Sequence, residues 1–540
     1  MTALDALTQR LDELEKEQSR IRKDLANAEQ ARIGAEQARD QYKTLYLELM
    51  ERCRKLERGL LGQKSEHLGK DDQQLSFAVL QMALGNPAAA ALTTPESEVK
   101  PHKRRKPTGR NPIPEHLPRI DIEVLPLEVQ EHGLSAFERI GEEVTEIIER
   151  RPASLVVARV IKGKFVRKDR VRNGKTDVFV GETPALPIAR CLAGPGMLAD
   201  TIVRRWQDHQ PLNRLEGIYA RDGMPLARST MCGWHDQLTP LVQPLVAAMR
   251  QDAFEQPYLC TDATGVLVQA KDKCRHGHFW VLVAPERHVL FEFSRKHDSD
   301  AVDDLLAGYE GYLVADAHTV YDHLYVGGTV TEVNCWAHAR RYYFKSMSSD
   351  PERAKVALGH IGALFRIERS IATAPRKKRE RIRKKQSKPI VSRFFSWCDE
   401  QWPTLLENTP IYDGVRYCRN QREGLQRFLD DGRLPLHNNI SELNLRRQAI
   451  GRKNWLFVGS DDGAAANAAF TSLLASSRMH NVEPWAYLRD IFCLLPQWPE
   501  HRLLELAPLN WQQTSAREDV TALLAANPYR QITLLQTAAP

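Results

Sequence analysis

The chain has 540 residues, of which 42% are hydrophobic and 27% charged, a composition typical of soluble globular proteins with several domains. It contains no run of about 18 uncharged apolar residues, and its acidic N-terminus has no secretory signal, so neither a membrane span nor export is expected. The nine cysteines form no CxxC pair and favour a reducing, cytoplasmic setting, while the net charge of +7 suits a polyanionic partner.

Residues 1–65 are predicted to form a coiled-coil oligomerisation helix. The a and d positions of its heptads are apolar or small, apart from Gln18, Arg32 and Arg39. A repeat sustained over so many heptads favours self-association. The alternative is a long amphipathic helix that packs on its own domain.

Residues 83–119 are predicted to be a mobile, proline-rich linker, because the segment has too few apolar side chains to build a core. The linker contains a basic cluster formed by Lys103, Arg104 and Arg105. This cluster is either a solvated part of the tether or an arm that contacts DNA phosphates, and the two roles are compatible.

Residues 120–185 are predicted to form a small β-rich domain. The stretch "SLVVARVIKGKFVRK" is rich in β-branched residues and is interrupted by a turn at Lys162 and Gly163. The sequence therefore indicates strands on both sides of this turn.

Residues 190–250 are predicted to form a helical, helix-turn-helix-like DNA-binding region. The sequence indicates a helix up to Gln207, a second at 212–221 and a third from about Ser229. The groove-facing residues at the start of the third helix would be Arg228, Ser229, Thr230 and Trp234. A generic helical hairpin is the alternative.

Residues 256–345 change in character. Three consecutive β-type runs, "YLCTDATGVLVQ", "GHFWVLVAPE" and "HVLFEFS", are followed by a helical stretch and two further strands, "GYLVADAH" and the start of "TEVNCWAHARRYYF". Adjacent runs favour hairpins, and the crossover helix favours parallel pairing afterwards. This is the order of an RNase H-like α/β sheet.

Two aspartates occupy informative places in these strands. Asp262 lies on the first strand and Asp316 closes the fourth, so the two carboxylates meet where these strands are neighbours. Close carboxylates repel each other unless a cation lies between them, and Mg²⁺ suits such oxygen ligands. Two such ions clamp the attacking and leaving oxygens of a phosphoryl displacement, which requires a third carboxylate. The alternative is that each aspartate is an ordinary turn residue.

Residues 346–431 are predicted to form a polar helical segment. Within it, nine residues of "RKKRERIRKKQSK", residues 376–388, are Lys or Arg. Such a run is either a solvated helix face or a surface that binds phosphates.

Glu442 follows in the stretch "LPLHNNISELNLRRQAIGRKNW". Local rules make it a capping-box residue of a helix that begins at Ile440, or the partner of Arg446 in an i,i+4 ion pair. The first turn of a helix is also a rigid mount for an inward-pointing carboxylate. Basic residues that would suit a nearby DNA backbone adjoin it, namely Arg446, Arg447, Arg452 and Lys453.

These residues together resemble the transposases of the insertion-sequence 66 family. The matching pieces are "LCTDATG", "GYLVADAH", "VNCWAHARR", "FLDDGRLPLHNNISELNLRRQAIGRKNWLFVGS" and "MHNVEPWAYLRDIF", which in order and spacing cover nearly all of residues 257–496. The resemblance implies a DDE triad of metal-binding catalytic acids, formed by Asp262, Asp316 and Glu442. On this interpretation the Glu442 oxygens point at the two aspartates, and Asn439 does most of the helix capping.

The same resemblance implies the cofactors and the supporting residues. Two Mg²⁺ ions would serve the acids, and Mn²⁺ would be an acceptable substitute. His338 and Arg341 belong to "CWAHARR", the family's companion motif, and would support the site.

The implied fold class is multidomain α+β, with the N-terminal coiled coil and the DNA-binding region preceding an RNase H-like catalytic domain. That domain would comprise residues 256–345 and 432–470, with a helical insertion at 346–431. Residues 471–540 would form a C-terminal helical region and tail.

The implied reaction is Mg-dependent cleavage of DNA at the ends of a bacterial insertion sequence, followed by strand transfer. The partners would be the terminal inverted repeats, target DNA, further copies of the chain through the coiled coil, and small accessory transposition proteins. A non-catalytic DNA-binding regulator and a structure-specific nuclease are the alternative functions.

Two features differ from the family pattern. The family often has a glutamate beside the first aspartate, whereas this chain has Ala263. Many relatives carry paired zinc-ribbon cysteines after the linker, but no cysteine occurs between Cys53 and Cys191. No zinc is therefore predicted there.

Overall fold

The computed structural model describes residues 16–34, 36–37, 39, 113–151, 154–167, 178–271 and 273–534. The chain separates into two units, Met1–Pro107 and Thr108–Pro540. In the first unit, residues 16–34 are helical and exposed, including the predicted seam residues Ile21 and Leu25. The predicted seam positions Gln18, Ala28, Arg32 and Arg39 are also described, whereas the remaining seam positions and the linker cluster of Lys103, Arg104 and Arg105 lie outside the described residues.

The second unit begins with a sheet in the segment that the sequence predicts to be β-rich. Strand β1 runs parallel to β3, whereas β2 and β4 pair with β3 in the antiparallel sense. The strands are β1 (Arg119–Val124), β2 (Phe137–Arg151), β3 (Ser154–Arg167) and β4 (Phe179–Val180). The β-branched residues of β3 are largely buried, as a strand with partners on both edges requires.

A second sheet has the strand order β7–β6–β5–β8–β9. Strands β5, β6 and β7 are antiparallel neighbours, and β5, β8 and β9 run parallel. The strands are β5 (Tyr258–Val268), β6 (Arg275–Ala284), β7 (His288–Ser294), β8 (Gly311–Ala315) and β9 (Val330–Asn334). Alternate side chains enter two separate cores, one on each face, so the strands read as nearly continuous apolar runs.

Helices of the second unit surround both sheets, and they are numbered here in chain order. They are α1 (Leu127–His132), α2 (Pro195–Ile202), α3 (Leu212–Arg221), α4 (Arg228–Phe254), α5 (Ser299–Leu306), α6 (Asp322–Val326), α7 (Trp336–Ser346), α8 (Pro351–Ser370), α9 (Arg376–Ile382), α10 (Lys388–Gln401), α11 (Pro410–Asn420), α12 (Arg422–Gln426), α13 (Asn439–Trp455), α14 (Asp461–Met479), α15 (Pro484–Leu494), α16 (Pro508–Ser515), α17 (Glu518–Ala526) and α18 (Pro528–Leu534). Among the described helices, none combines the length and apolar character needed to cross a bilayer. Mixed α and β elements thus confirm the coarse α+β fold class.

Two helices widen into a π-turn. Helix α2 continues into Val203–Gln207, and α9 continues into Arg383–Ser387. A π-turn holds about one residue more than an α-helical turn and so accommodates an extra residue within the helix. Each of these turns contains an arginine that packs over an aromatic ring, Arg205 over Trp206 and Arg383 over Phe428.

Glu149 of β2 joins the first sheet to helix α2. The side chain is fully buried, and its Oε1 accepts hydrogen bonds from the backbone N–H groups of Arg150 (2.8 Å) and Met197 (2.7 Å). A Cβ atom on Gly194 or Gly196 would collide with this carboxyl group. The two glycines of the "GPG" sequence therefore make room for a buried acid that caps the start of the helix.

One hydrophobic core joins segments that the sequence predicts as separate domains. Its buried residues come from the first sheet, from helices α2 to α4, from the second sheet and from the C-terminal helices. Helix α14 (Asp461–Met479) crosses the predicted boundary at residue 470, and its Ser472 and Ser476 hydrogen-bond the backbone of β7. That boundary is therefore wrong, since the sheet requires residues on both sides of it.

The helical region after the first sheet has the predicted helix at 212–221, as α3, and its third helix begins at Arg228. However, α4 is 27 residues long and buries Trp234 in the core. The prediction of a groove-facing Trp234 is wrong, because this side chain lies on the apolar stripe of a core helix. Arg228, Ser229 and Thr230 are exposed.

Candidate active site

The pairing of β5 with β8 places Asp262 beside Asp316. The last paired residues of the two parallel strands are Cys260 and Val314. Two residues further on, each strand reaches its aspartate, and the side-chain period of two puts both carboxylates on the same side of the sheet. The number of positions between the two aspartates in the chain therefore equals the number between paired residues of β5 and β8.

Glu442 comes from the first turn of α13, which is fastened to the same strands by buried polar contacts. Asn438 Nδ2 donates a 2.7 Å hydrogen bond to the Thr261 carbonyl, and the Asn438 N–H donates to Cys335 Sγ at 3.1 Å. The Trp336 N–H also donates to the Leu436 carbonyl. These contacts bring the start of α13 to the first half of β5, next to Asp262.

The helix-capping prediction requires correction. Helix α13 begins at Asn439, one residue earlier than predicted, and its N-cap is Asn438, which makes no capping hydrogen bond with its side chain. The Asn438 amide instead donates to β5, as described above. The Asn438 side chain, which local rules assign to helix capping, binds Thr261 of β5 instead.

A buried arginine fixes the loop that leads to Glu442. Arg383 is fully buried and uses all five of its N–H donors. Two bonds go to the Glu368 carboxylate, and three go to backbone carbonyls of the loop before α13. The carbonyls are those of Phe428 (2.6 Å), Asp431 (2.9 Å) and Leu434 (2.9 Å). The helical insertion is thereby tied to the approach to the third acid.

The three acids interact electrostatically. Burial first, and then the charges of Asp316 and Glu442, raise the pKa of Asp262 to about 7. A hydrogen bond from the Ala263 N–H and the charge of Arg341 act in the opposite direction. Converging negative charge at a partly buried carboxyl group is typical of a site that binds a cation.

Arg341 and His338 hold the Glu442 carboxylate. Arg341 Nη2 lies 3.2 Å from Oε1, and His338 Nε2 lies 3.5 Å from the same oxygen. Burial and the charge of Arg341 lower the pKa of His338. With Glu442 in this position, no three His, Cys, Asp or Glu side chains of the described residues are arranged to hold a metal ion.

A family model described as "Transposase IS66 family" matches residues 190–466, which include all three acids and the helical insertion. This match covers more than half of the chain. The chain belongs to the IS66 transposase family. Membership supports a transposase role and implies DNA binding. A second model, described as "Transposase C of IS166 homeodomain", matches residues 48–122.

Relatives from Sinorhizobium fredii (strain NBRC 101917 / NGR234) match over most of their length. The chain is 29% identical to "Uncharacterized protein y4hP" over 502 residues, covering 87% of this chain and 89% of that protein. It is 25% identical to "Uncharacterized protein y4jD" over 496 residues, covering 88% of this chain and 96% of that protein. The likeness thus extends well beyond the part that matches the IS66 transposase model.

The basic residues predicted to contact DNA around α13 divide into two pairs. Arg446 and Lys453 are exposed. Arg447 donates to Gln207 Oε1 at 3.2 Å, and burial lowers its pKa to about 10. Arg452 donates to Thr264 Oγ1 at 2.9 Å and to the Gly265 carbonyl. Arg447 and Arg452 thus point inward and connect α13 to other elements of this IS66 protein. Their positions argue against direct contacts with DNA.

Sequence analysis missed the two residues that position the third acid. Local sequence rules identify Asn438 only as a helix cap, whereas its hydrogen-bond partner Thr261 lies 177 positions away in the chain. Arg383 stands in a run of lysines and arginines whose neighbours Lys384 and Lys385 are exposed. Nothing in the composition of that run distinguishes the inward residue.

Proposed function

We propose that this IS66 family member is a DDE transposase that cleaves DNA strands at the ends of a bacterial insertion sequence and transfers them to target DNA in a Mg²⁺-dependent reaction. The observation that carries the proposal is that strand register sets Asp262 beside Asp316, and that the charges of Asp316 and Glu442 both act on the half-buried Asp262. Two of these acids come from neighbouring strands and the third from a distant helix, which is how a polynucleotidyl transferase assembles its metal ligands.

The sheet supports an RNase H-like catalytic domain. Three antiparallel strands followed by a crossover to parallel β8 and β9 give the order expected for that fold. Helices α8 to α12 then intervene between the second and third acids. The domain would be completed by α13, which carries Glu442, and by α14, which packs on β7.

The residues at the site fit a divalent metal in type and in charge. Carboxylate oxygens are the ligands that Mg²⁺ prefers, and Asp262, Asp316 and Glu442 would hold two such ions. The pKa of Asp262 is raised by burial first and then by its acidic neighbours, and a bound cation would favour the ionised carboxylate. Glu442 would exchange its contact with Arg341 for one with the cation.

The chain's own residues would position the acids and the DNA. When bound, the ions would activate the attacking oxygen and stabilise the leaving oxygen of a phosphodiester. The register of β5 and β8 fixes the positions of Asp262 and Asp316. Asn438 and Arg383 fix the segment of the chain that leads to Glu442. His338 and Arg341 orient the glutamate before the metal arrives.

Further parts of the proposal concern partners. The exposed apolar residues Ile21 and Leu25, at predicted d and a positions, support pairing of the N-terminal helix with another copy. DNA would contact exposed residues of α4 and α13, namely Arg228, Ser229, Thr230, Arg446 and Lys453. Small accessory proteins remain an expectation drawn from the family resemblance.

The test is Mg²⁺-dependent cleavage of a plasmid that carries the gene with its flanking DNA. Asp262→Asn, Asp316→Asn and Glu442→Gln should each abolish cleavage while DNA binding persists. Asp322→Asn, which changes an exposed acid near the site, is the matched control and should leave cleavage intact. Joined strands would distinguish a transposase from a nuclease, and full cleavage by all three acid variants would contradict the proposal.

A further inference from the structure

A surface cavity of about 610 Å³ lies on the helical insertion, between the end of α10 and helices α11 and α12. We call it the arginine–aromatic pocket. Its lining includes Asp399, Trp402, Tyr412, Arg416, Arg419 and Arg422. Arginines beside aromatic rings are a common feature of surfaces that bind nucleic acid.

Aromatic rings hold two of the arginines in place. The rings of Trp402 and Tyr412 stack with their centroids 4.8 Å apart. The Arg419 guanidinium lies 4.6 Å from the Trp402 centroid, and that of Arg416 lies 5.4 Å from the Tyr412 centroid. A guanidinium held flat over a ring keeps its N–H edges available to planar or tetrahedral oxyanions, and little side-chain entropy is then lost on binding.

The charge of the pocket is positive. Three arginines line it with one carboxylate, Asp399, which pairs with Arg419 at 3.1 Å and with Arg422 at 2.6 Å. Within the described part of the chain, the ion pair of Arg416 is with Asp413 of its own helix at 2.9 Å, and its side chain is 54% exposed. An exposed i,i+3 pair of this kind contributes little and leaves the arginine able to bind another anion.

Helix α11 connects this pocket to the candidate active site. Tyr417, next to Arg416, packs against Tyr342 of α7 with the ring centroids 4.9 Å apart and the rings tilted by 30°. Helix α7 carries His338 and Arg341, which contact Glu442. Helix α11 therefore packs on a helix of the candidate active site and also lines the pocket.

We propose that the arginine–aromatic pocket binds the phosphodiester backbone of the DNA whose strand reaches the three acids. The inference rests on the proposed function and adds a contact site on the helical insertion, away from the acids. Arg416 and Arg419 contact the phosphates, and Asp399 opposes the ligand while holding Arg419 in position.

The experiment measures binding of the full chain to a fluorescein-labelled mixed-sequence DNA duplex and to the corresponding single strand. Fluorescence anisotropy is recorded over a salt series without divalent metal, so that cleavage plays no part. Loss of one phosphate contact lowers the slope of log Kd against log salt by about 0.9 for duplex DNA and about 0.7 for a single strand. The Arg416→Gln/Arg419→Gln double variant should therefore lower it by about 1.8 or about 1.4 and reveal which form is bound.

Two further variants separate binding from folding. Arg393→Gln removes an exposed arginine of α10 outside the pocket and should leave the slope unchanged. Asp399→Asn removes the opposing charge and should tighten DNA binding, although it breaks two ion pairs and so loosens the fold. If the arginine–aromatic pocket has only a structural role, Asp399→Asn should not tighten DNA binding.

Two outcomes would overturn the inference. If wild-type protein binds DNA and the double variant keeps the wild-type slope, the pocket is not a DNA site and the proposed function is unaffected. If the wild-type protein binds neither probe, both the inference and the proposed function fail.

Discussion

Two carboxyl groups, the half-buried Asp262 and the fully buried Glu149, show how similar pKa shifts arise in different surroundings. Burial is the main cause in both, raising the pKa of Asp262 to about 7 and that of Glu149 to about 8. Glu149 accepts hydrogen bonds from its neighbour and from the start of α2. Asp262 instead faces two further acids delivered by other parts of the chain.

The difference teaches that a raised pKa does not by itself mark a functional site. Glu149 has partners that account for its position, so its burial has a structural explanation. At Asp262 the surrounding acids add unfavourable charge, and separate contacts hold them there. The distant anchors of the acid site, such as Arg383 and Asn438, should therefore matter more to it than any local interaction.

The largest expected effect that tests this contrast comes from Arg383→Met. Removing the buried guanidinium leaves three loop carbonyls without the Arg383 donors and leaves Glu368 with the longer contact to Arg379 at 3.5 Å. The free energy of unfolding should fall by about 3–5 kcal/mol, measured by urea denaturation. Lys384→Met, at the exposed neighbour, should change it by less than about 0.5 kcal/mol. Equal midpoints for the two variants would show that Arg383 is no anchor.

Asn438→Ala should have the next largest effect. The Thr261 carbonyl would lose its buried donor, at a cost of about 1–3 kcal/mol in the free energy of unfolding. Asn439→Ala is the matched control, because Asn439 is exposed and is not the N-cap. It should change stability by less than about 0.5 kcal/mol. A larger loss at Asn439 than at Asn438 would restore the capping role that the sequence predicts.

The pH dependence of stability tests the other half of the contrast. Glu149 keeps its proton in the folded chain up to a pKa of about 8 but releases it near 4.5 when unfolded. The folded state therefore binds more protons in this window, and the free energy of unfolding falls as pH rises. The slope contributed by this group is up to about 1.4 kcal/mol per pH unit.

Glu149→Gln should remove that contribution, which is measured by urea denaturation at a series of pH values between 4.5 and 8. The amide keeps an oxygen to accept the N–H groups of Arg150 and Met197 and has no proton to lose. A variant with an undiminished pH slope would mean that another group titrates in this window.

The smallest effect is expected at Arg341, whose side chain is 52% exposed. Arg341→Gln should change the free energy of unfolding by less than about 1 kcal/mol, because partly exposed ion pairs are weak. On the proposed function it should nevertheless strengthen Mg²⁺ binding, since it removes a cation that competes for Glu442. Calorimetric titration with Mg²⁺ measures this, with Arg340→Gln as the control. Weaker Mg²⁺ binding by Arg341→Gln would contradict the competition.

The sequence could predict features that depend on local pattern or on strand register. The helix at 212–221 follows from hydrophobic periodicity, and the alignment of Asp262 with Asp316 follows from adjacent parallel strands. It could not predict that Trp234 is buried, that Asn438 bonds to β5, or that Arg447 and Arg452 turn inward. Each of these depends on a partner far away in the chain, which periodicity and capping rules do not register.

The π-turn at Arg383–Ser387 has a consequence for how this chain tolerates changes in length. A turn of this kind corresponds to one amino acid inserted into an α-helix. Deleting Gln386 would restore regular winding and leave Arg383 and the apolar stripe of α10 facing their present partners, because the wide turn already accommodates the extra residue. Deleting one residue of the regularly wound α10 would instead rotate the side chains that follow by about 100°. A single-codon deletion should therefore be less damaging at this turn than within α10.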